Sequence, residues 1–141
     1  MIVLDTNVLS ELMRGANASP RVRAWLNAQD AGALFLTAIT VAELRFGIDV
    51  LPKGRRRADL QARADASLAL FGDRVLPFTA ACGVQYGRLM ASARAAGLAI
   101  RMADGMIAAT AAEHGFAVAT RDTSPFRAAG LRIIDPWVAP A

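Results

Sequence analysis

The sequence predicts an α/β fold in three layers, α/β/α, in which short strands form a mainly parallel central sheet. Short apolar runs, such as residues 2–4 and 116–119, alternate with longer segments whose apolar residues recur at helical spacing. Strands that are apolar on both faces are typical of a parallel sheet covered by helices on each side. A length of 141 residues is ordinary for one domain, so residues 1–141 are predicted to form a single domain.

The predicted elements follow one another with short connections. The predicted strands are residues 2–4, 34–36, 75–76, 116–119 and 131–134. The predicted helices are residues 7–13, 20–29, 41–51, 53–71, 79–97 and 104–114. No helix or strand is predicted for residues 120–130, where Asp122 is compatible with an ordinary turn.

Capping residues support the predicted ends of the helices. Ser19 before Pro20 is typical of an N-cap followed by proline at the first helical position. Thr40 with Glu43 three positions later matches the capping box, which predicts that the third helix begins there. Gly115 after His114 is typical of a helix C-terminus.

Four acidic residues stand where predicted strands give way to helices or loops. They are Asp5, Glu43, Asp104 and Asp122. In an open α/β sheet the carboxyl ends of the strands line one crevice, where ligands bind. Carboxylates gathered there would repel one another unless divalent cations neutralised them. The set therefore predicts a site for a hard metal ion.

Each acid also has a purely structural interpretation. Asp5 suits the N-cap of the first helix, and Glu43 suits the capping box. Asp104, in the first turn of a helix, interacts favourably with the helix dipole, and Asp122 suits a turn. The prediction of a metal site therefore depends on the set and not on any one member.

The residues that are scarce exclude several kinds of chemistry. His114 is the sole histidine and Cys82 the sole cysteine, which excludes a Ser-His-Asp triad, an internal disulfide and a Cys-based zinc site. We expect His114 to lie at the surface and Cys82 to pack in the interior. The apolar N-terminus lacks the basic start of a signal peptide, and no run of about 18 apolar residues occurs, so we expect a cytoplasmic protein.

Four segments resemble, in order and spacing, the motifs of the PIN domain, the ribonuclease fold of VapC-type toxins. The segments are MIVLDTNVLS at 1–10, TAITVAELRFG at 37–47, ADGMIAATA at 103–111 and VATRDT at 118–123. The closing residues 133–137 resemble the branch of the family that includes FitB. The resemblance covers essentially the whole chain.

The resemblance implies a metal-dependent endoribonuclease that acts as the toxin of a type II toxin–antitoxin pair. It implies that the four acids form the catalytic set, with Thr6 and Thr120 as supporting polar residues. Four negative charges are balanced by two divalent cations, so we expect one or two Mg²⁺ or Mn²⁺ ions, with Asp5 and Asp104 at the principal ion and Glu43 and Asp122 contributing directly or through water. The resemblance also implies RNA as substrate, a small VapB-like antitoxin that blocks the acidic groove, and a homodimer. Gly105 stands where many relatives carry a larger residue, and we expect no effect on the metal.

Arginine dominates the positive charge, because Lys53 is the only lysine in a chain of net charge +4. Arginine grips phosphate bidentately, although a high-GC coding sequence explains the same composition. The candidates for RNA-phosphate contact are Arg14, Arg45, Arg101, Arg121, Lys53, Arg55, Arg56 and Arg57. Four of the residues 53–57 are positive, and positive charge at the start of a helix is unfavourable next to the helix dipole. The stability of the helix therefore does not explain this segment, and either an RNA contact or a solvated loop does.

Two alternative functions share part of this pattern with the nuclease. A non-catalytic PIN-like protein that binds RNA or a partner would have no need of all four acids. A phosphatase of the haloacid dehalogenase type requires a second aspartate two residues after the first and a lysine late in the chain. This chain has Asn7 at the former place, and its only lysine is Lys53. The phosphatase is therefore disfavoured.

Overall fold

Five parallel strands form the centre of the molecule in a computed structural model that describes residues 1–140. The strands are β1 (Ile2–Leu4), β2 (Leu34–Thr37), β3 (Val75–Leu76), β4 (Ala117–Ala119) and β5 (Ile133–Ile134). They lie in the order β3-β2-β1-β4-β5, and every neighbouring pair is parallel. Ile2 of β1 is in register with Leu34 on one side and Ala117 on the other. The predicted parallel sheet is confirmed.

Seven α-helices connect the strands within residues 1–140. They are α1 (Thr6–Met13), α2 (Pro20–Asn27), α3 (Ala38–Asp49), α4 (Arg55–Ala69), α5 (Ala80–Ala95), α6 (Met102–His114) and α7 (Thr123–Ala128). Single 3₁₀ turns lie at Gly15–Asn17 and Ala31–Ala33. Among the described residues, no helix combines the length and the apolar character needed to cross a membrane.

The side chains of β1 alternate between two hydrophobic cores, one on each face of the sheet. Ile2 and Leu4 join a core with residues of α1 to α4, among them the fully buried Leu9. Val3 points to the opposite face, where it packs with residues of α6 and α7 such as Ile107 and Phe126. This alternation is the two-residue period of a strand, and it produces the predicted three layers.

The start of α3 differs from the prediction. Thr37, not Thr40, is the N-cap, and its hydroxyl accepts a hydrogen bond from the backbone N–H of Thr40 at 3.0 Å. Strand β2 continues through Thr37 and the helix begins at Ala38, so Thr40 lies inside the first turn. The capping-box interpretation of Glu43 is therefore wrong, because Glu43 stands in the second turn.

The segment after β4 also differs from the prediction. Thr123–Ala128, for which no helix was predicted, form α7, whose first turn contains Pro125. Proline fits a first helical turn because the backbone N–H that it lacks has no partner there. The predicted strands 116–119 and 131–134 are shorter in the structure, at Ala117–Ala119 and Ile133–Ile134.

The two scarce residues lie as predicted. Cys82 is fully buried, and the N–H of Cys82 bonds to the hydroxyl of the α5 cap, Thr79. His114 is exposed in the last turn of α6, where the left-handed Gly115 ends the helix. Neither residue enters the site described below.

Candidate active site

Asp5 lies at the carboxyl end of the central strand β1 and is only 5% exposed. Its Oδ1 accepts a hydrogen bond from the backbone N–H of Thr6 at 2.8 Å, so Asp5 is the N-cap of α1. Its Oδ2 accepts from the Thr120 hydroxyl at 2.7 Å and from the Asn7 amide at 2.9 Å. Asp5 is therefore compatible with both interpretations, because the carboxylate that caps α1 also lies at the carboxyl end of the strands.

Asn7 is a residue of the site that the sequence analysis missed. Its Nδ2 donates to Asp5 Oδ2 and also to Thr120 Oγ1 at 3.0 Å, while its Oδ1 accepts from the N–H of Arg121 at 3.2 Å. Asn7 thus joins the end of β1 to the loop after β4. The sequence feature that could have indicated its role is a polar side chain two residues after Asp5, directly before the apolar pair Val8-Leu9.

Glu43 reaches the same edge of the sheet from α3. Its Oε2 accepts a hydrogen bond from the Thr6 hydroxyl at 2.7 Å, although the two residues are 37 positions apart. Thr6 therefore supports Glu43, whereas Thr120 supports Asp5. The structure brings both predicted supporting threonines to predicted acids.

Asp104 lies in the first turn of α6 and is 4% exposed. Both of its oxygens are held by Arg101, whose Nε donates to Oδ2 at 2.9 Å and whose Nη2 donates to Oδ1 at 3.2 Å. The Arg101 side chain itself is 76% exposed. A residue predicted to contact RNA phosphate thus pairs with one of the predicted metal ligands.

Asp122 is the exposed member of the four acids. It occupies the N-cap position of α7, yet its side chain makes no capping hydrogen bond. Its backbone N–H donates to the Thr120 hydroxyl at 3.1 Å. Thr120 therefore contacts both Asp5 and the backbone of Asp122, and it sets the geometry of this loop.

The charges of the acids act on Asp5 and on Arg101. Burial raises the pKa of Asp5, hydrogen bonds from Thr120 and Thr6 lower it, and the nearby carboxylates of Asp104 and Glu43 raise it further. The hydrogen bond and charge of Asp104 raise the pKa of Arg101, and the charges of Glu43 and Asp122 add to this effect. All four acids therefore share one electrostatic neighbourhood.

The donor set fits a hard divalent cation in chemistry. The acids offer only oxygen ligands, two of the carboxylates are almost fully buried, and a guanidinium already supplies positive charge at Asp104. In residues 1–140, however, no three His, Cys, Asp or Glu side chains lie close enough together to hold one ion as they stand. A cation at Asp104 would lie beside the positive charge of Arg101.

Three other candidates for phosphate contact are also engaged in ion pairs. Arg45 pairs with Asp65, Arg57 pairs with Asp49, and Arg14 pairs with the buried Glu11. The Glu11 carboxylate also accepts from the backbone N–H of Ser19, at the start of α2.

The remaining candidates are more available. The guanidinium of Arg121 lies over the ring of Trp137, 5.5 Å from its centre. Lys53, Arg55 and Arg56 are exposed, and none of them makes an ion pair with another described residue. These three residues form the free part of the positive segment at the start of α4.

A pocket of about 390 Å³ adjoins the acids between α1, α3 and α4. Its walls are largely apolar, and Thr6 and Glu43 form the end that faces the acidic site. The other lining residues are Ser10, Met13, Arg14, Leu44, Gly47, Ile48, Leu60 and Arg63. The pocket therefore combines an apolar wall with two arginines beside a cluster of carboxylates.

Comparison with known proteins decides the family. Residues 2–131 match the family described as the PIN domain. The chain belongs to the PIN domain family.

Two relatives resemble this PIN domain over almost its whole length. It is 55% identical over 138 residues to the VapC ribonuclease Y4jK of Sinorhizobium fredii (strain NBRC 101917 / NGR234), covering 97% of this chain and 98% of that protein.

A second relative belongs to the FitB branch. The PIN domain is 44% identical over 138 residues to Toxin FitB of Neisseria gonorrhoeae (strain ATCC 700825 / FA 1090), covering 97% of this chain and 99% of that protein. The crystal structure of FitAcB from Neisseria gonorrhoeae superimposes with a TM-score of 0.91 at 43% identity, covering 99% of this chain and all of that chain. The resemblance predicted from the four motifs is confirmed.

Proposed function

We propose that this PIN domain is a metal-dependent endoribonuclease and the toxin of a type II toxin–antitoxin pair. The observation that carries the proposal is the gathering of four acids at the carboxyl edge of the sheet, two of them buried. Burial of carboxylates without a full set of cationic partners is unfavourable, so such a cluster is expected to serve a ligand. The relatives named as a ribonuclease and a toxin support this proposal.

Asp5 and Asp104 would hold the principal Mg²⁺ or Mn²⁺ ion, with Glu43 and Asp122 contributing directly or through water. When bound, one or two such ions would supply an activated water and stabilise negative charge on the phosphate. Thr120 and Asn7 orient Asp5, and Thr6 orients Glu43. Because these donors fix the carboxylates before substrate arrives, little reorganisation is needed during the reaction.

A toxin that cuts cellular RNA must be held inactive in its own host, so we propose a small cognate antitoxin as partner. The pocket beside Glu43 suits an apolar side chain of that partner, and a partner arginine would be attracted to the acids. We also propose a homodimer. Phe46 of α3 and Val50, the C-cap residue four positions later, are exposed apolar residues that such an interface would cover.

The test is incubation of the purified chain with total cellular RNA in Mg²⁺ or Mn²⁺, followed by mapping of the cut ends. We expect cuts that leave 5′-phosphate and 3′-hydroxyl ends, and we expect both excess chelator and Asp5→Asn to abolish them. Asp73→Asn is a matched control, because Asp73 is exposed just before β3, at the opposite edge of the sheet.

The outcome also separates the alternatives. Undiminished cleavage by Asp5→Asn would contradict the assignment of the acids, provided that the variant remains folded. Binding of RNA without cleavage at any concentration of either metal would instead favour the non-catalytic PIN-like protein.

A further inference from the structure

The pairing of Arg101 with Asp104 is strongly asymmetric. The Asp104 side chain is 6% exposed and is held by its helix, whereas the Arg101 side chain is 76% exposed. Arg101 donates through two nitrogens to the two oxygens, while its guanidinium keeps most of its contact with water. Arg101 is therefore the partner that is free to turn toward solvent, whereas Asp104 is enclosed.

The stability of α6 does not explain the position of Arg101. Arg101 is the N-cap residue of the helix, but its side chain makes no capping hydrogen bond. A positive charge at a helix N-terminus opposes the helix dipole. The attraction that remains is toward the acids, because the charges of Asp104, Glu43 and Asp122 all act on this guanidinium.

We propose that Arg101 is a displaceable counter-ion, which neutralises Asp104 while the site is free of metal and is released when a divalent cation takes its place. This proposal rests on the proposed function, since it requires a cation to bind at Asp104. Arg101 donates one hydrogen bond to each oxygen of Asp104, and its positive charge repels an approaching cation, so a cation that binds Asp104 competes with Arg101 for the same carboxylate. Because the guanidinium of the pair is mostly exposed, solvent screens the attraction, so the competition costs little and the exchange is reversible.

Release gives Arg101 a second partner. Its side chain is anchored three residues before Asp104, so the freed guanidinium stays at the rim of the acidic crevice. A guanidinium binds phosphate bidentately in the same way as carboxylate. Arg101 therefore exchanges a carboxylate for an RNA phosphate as the cation binds, and it couples the occupancy of the metal site to the binding of substrate.

The test is a titration of the metal-free protein with Mn²⁺ by calorimetry, without RNA. We expect Arg101→Gln to bind Mn²⁺ about 1.5- to 5-fold more tightly than the wild type, because the competitor is gone. Arg101→Lys, which keeps the charge without the bidentate fork, should fall between them. Arg132→Gln is the matched control, since Arg132 is exposed just before β5, at the opposite edge of the sheet, and its loss changes the net charge equally.

A second measurement follows the substrate. With saturating Mn²⁺, we expect Arg101→Gln to raise the KM for RNA more than it lowers kcat, while Arg101→Lys restores most of the KM. An Mn²⁺ affinity of Arg101→Gln that equals or falls below that of the wild type would overturn the proposal.

Failure of this inference is distinguishable from failure of the proposed function. If the wild type binds Mn²⁺, Asp5→Asn does not, and Arg101→Gln binds like the wild type, only the role of Arg101 is wrong. If neither the wild type nor Arg101→Gln binds Mn²⁺, both proposals are wrong.

Discussion

Gly105 lets α6 approach α5 closely, and replacing it with alanine tests the packing that positions Asp104. A Cβ at residue 105 would lie 2.8 Å from the Sδ of Met90 and 2.9 Å from Cε2 of Tyr86. Ordinary contacts between such atoms are about 3.5 Å or longer, so both side chains must move by roughly 0.6 Å. Overpacking of this kind costs about 1–3 kcal/mol.

Alanine also has a higher helix propensity than glycine, which stabilises the folded variant by about 0.8–1 kcal/mol. We therefore expect Gly105→Ala to change the free energy of unfolding by a net loss of about 0–2 kcal/mol. Gly87→Ala is the matched control, because Gly87 lies within α5 and an added Cβ there meets nothing within 4 Å. The control should gain about 1 kcal/mol.

The assay is urea denaturation of both variants and the wild type in chelator. Gly105→Ala should be less stable than Gly87→Ala by about 1–3 kcal/mol, or roughly 3–9 °C in Tm. The difference isolates packing, since both changes carry the same gain in helix propensity. Equal stabilities within about 0.5 kcal/mol would refute the close approach of α6 to α5.

Three further predictions concern the site and the positive segment. Asn7→Ala removes two hydrogen bonds donated to the acidic network, so we expect the free energy of unfolding in chelator to fall by about 2 kcal/mol. A fall of less than about 0.5 kcal/mol would contradict the bridging role of Asn7. The pKa of Asp5 is raised in the folded state, so its ionised form destabilises the metal-free protein. The unfolding free energy of the wild type should therefore fall relative to that of Asp5→Asn as pH rises from about 3.8 through the raised pKa of Asp5. Denaturation of both proteins at several pH values measures this, and a difference that stays constant with pH would exclude the effect. Neutralising Arg55 and Arg56 together should reduce the salt slope of RNA binding by about 1–2, whereas Arg132→Gln should leave it unchanged.

The sequence by itself determined the kinds of element and their order. Short apolar runs predicted all five strands, and helical spacing predicted six of the seven helices within residues 1–140. The missed helix, α7, begins with residues whose local chemistry is that of a turn. The start of α3 was misplaced because Thr37 and Thr40 both suit a cap, and only the length of β2 distinguishes them.

The sequence also selected the four acids, because each was predicted near an element boundary, although Glu43 lies in the second turn of α3. Whether these acids hold a metal stays a prediction. The pairing of Arg101 with Asp104 had a local signal that was missed, since residues three apart at a helix start lie on one face. Arg101 was instead predicted only as a contact for phosphate.

Only the tertiary structure decided which side chains support the acids. The Thr120 hydroxyl reaches Asp5 across 115 positions, and the Thr6 hydroxyl reaches Glu43 across 37. Such partners depend on the order of the strands, which places β4 beside β1 and aligns their carboxyl ends. Local sequence encodes burial and turn chemistry, whereas contacts between distant residues exist only after the sheet has brought its strands together.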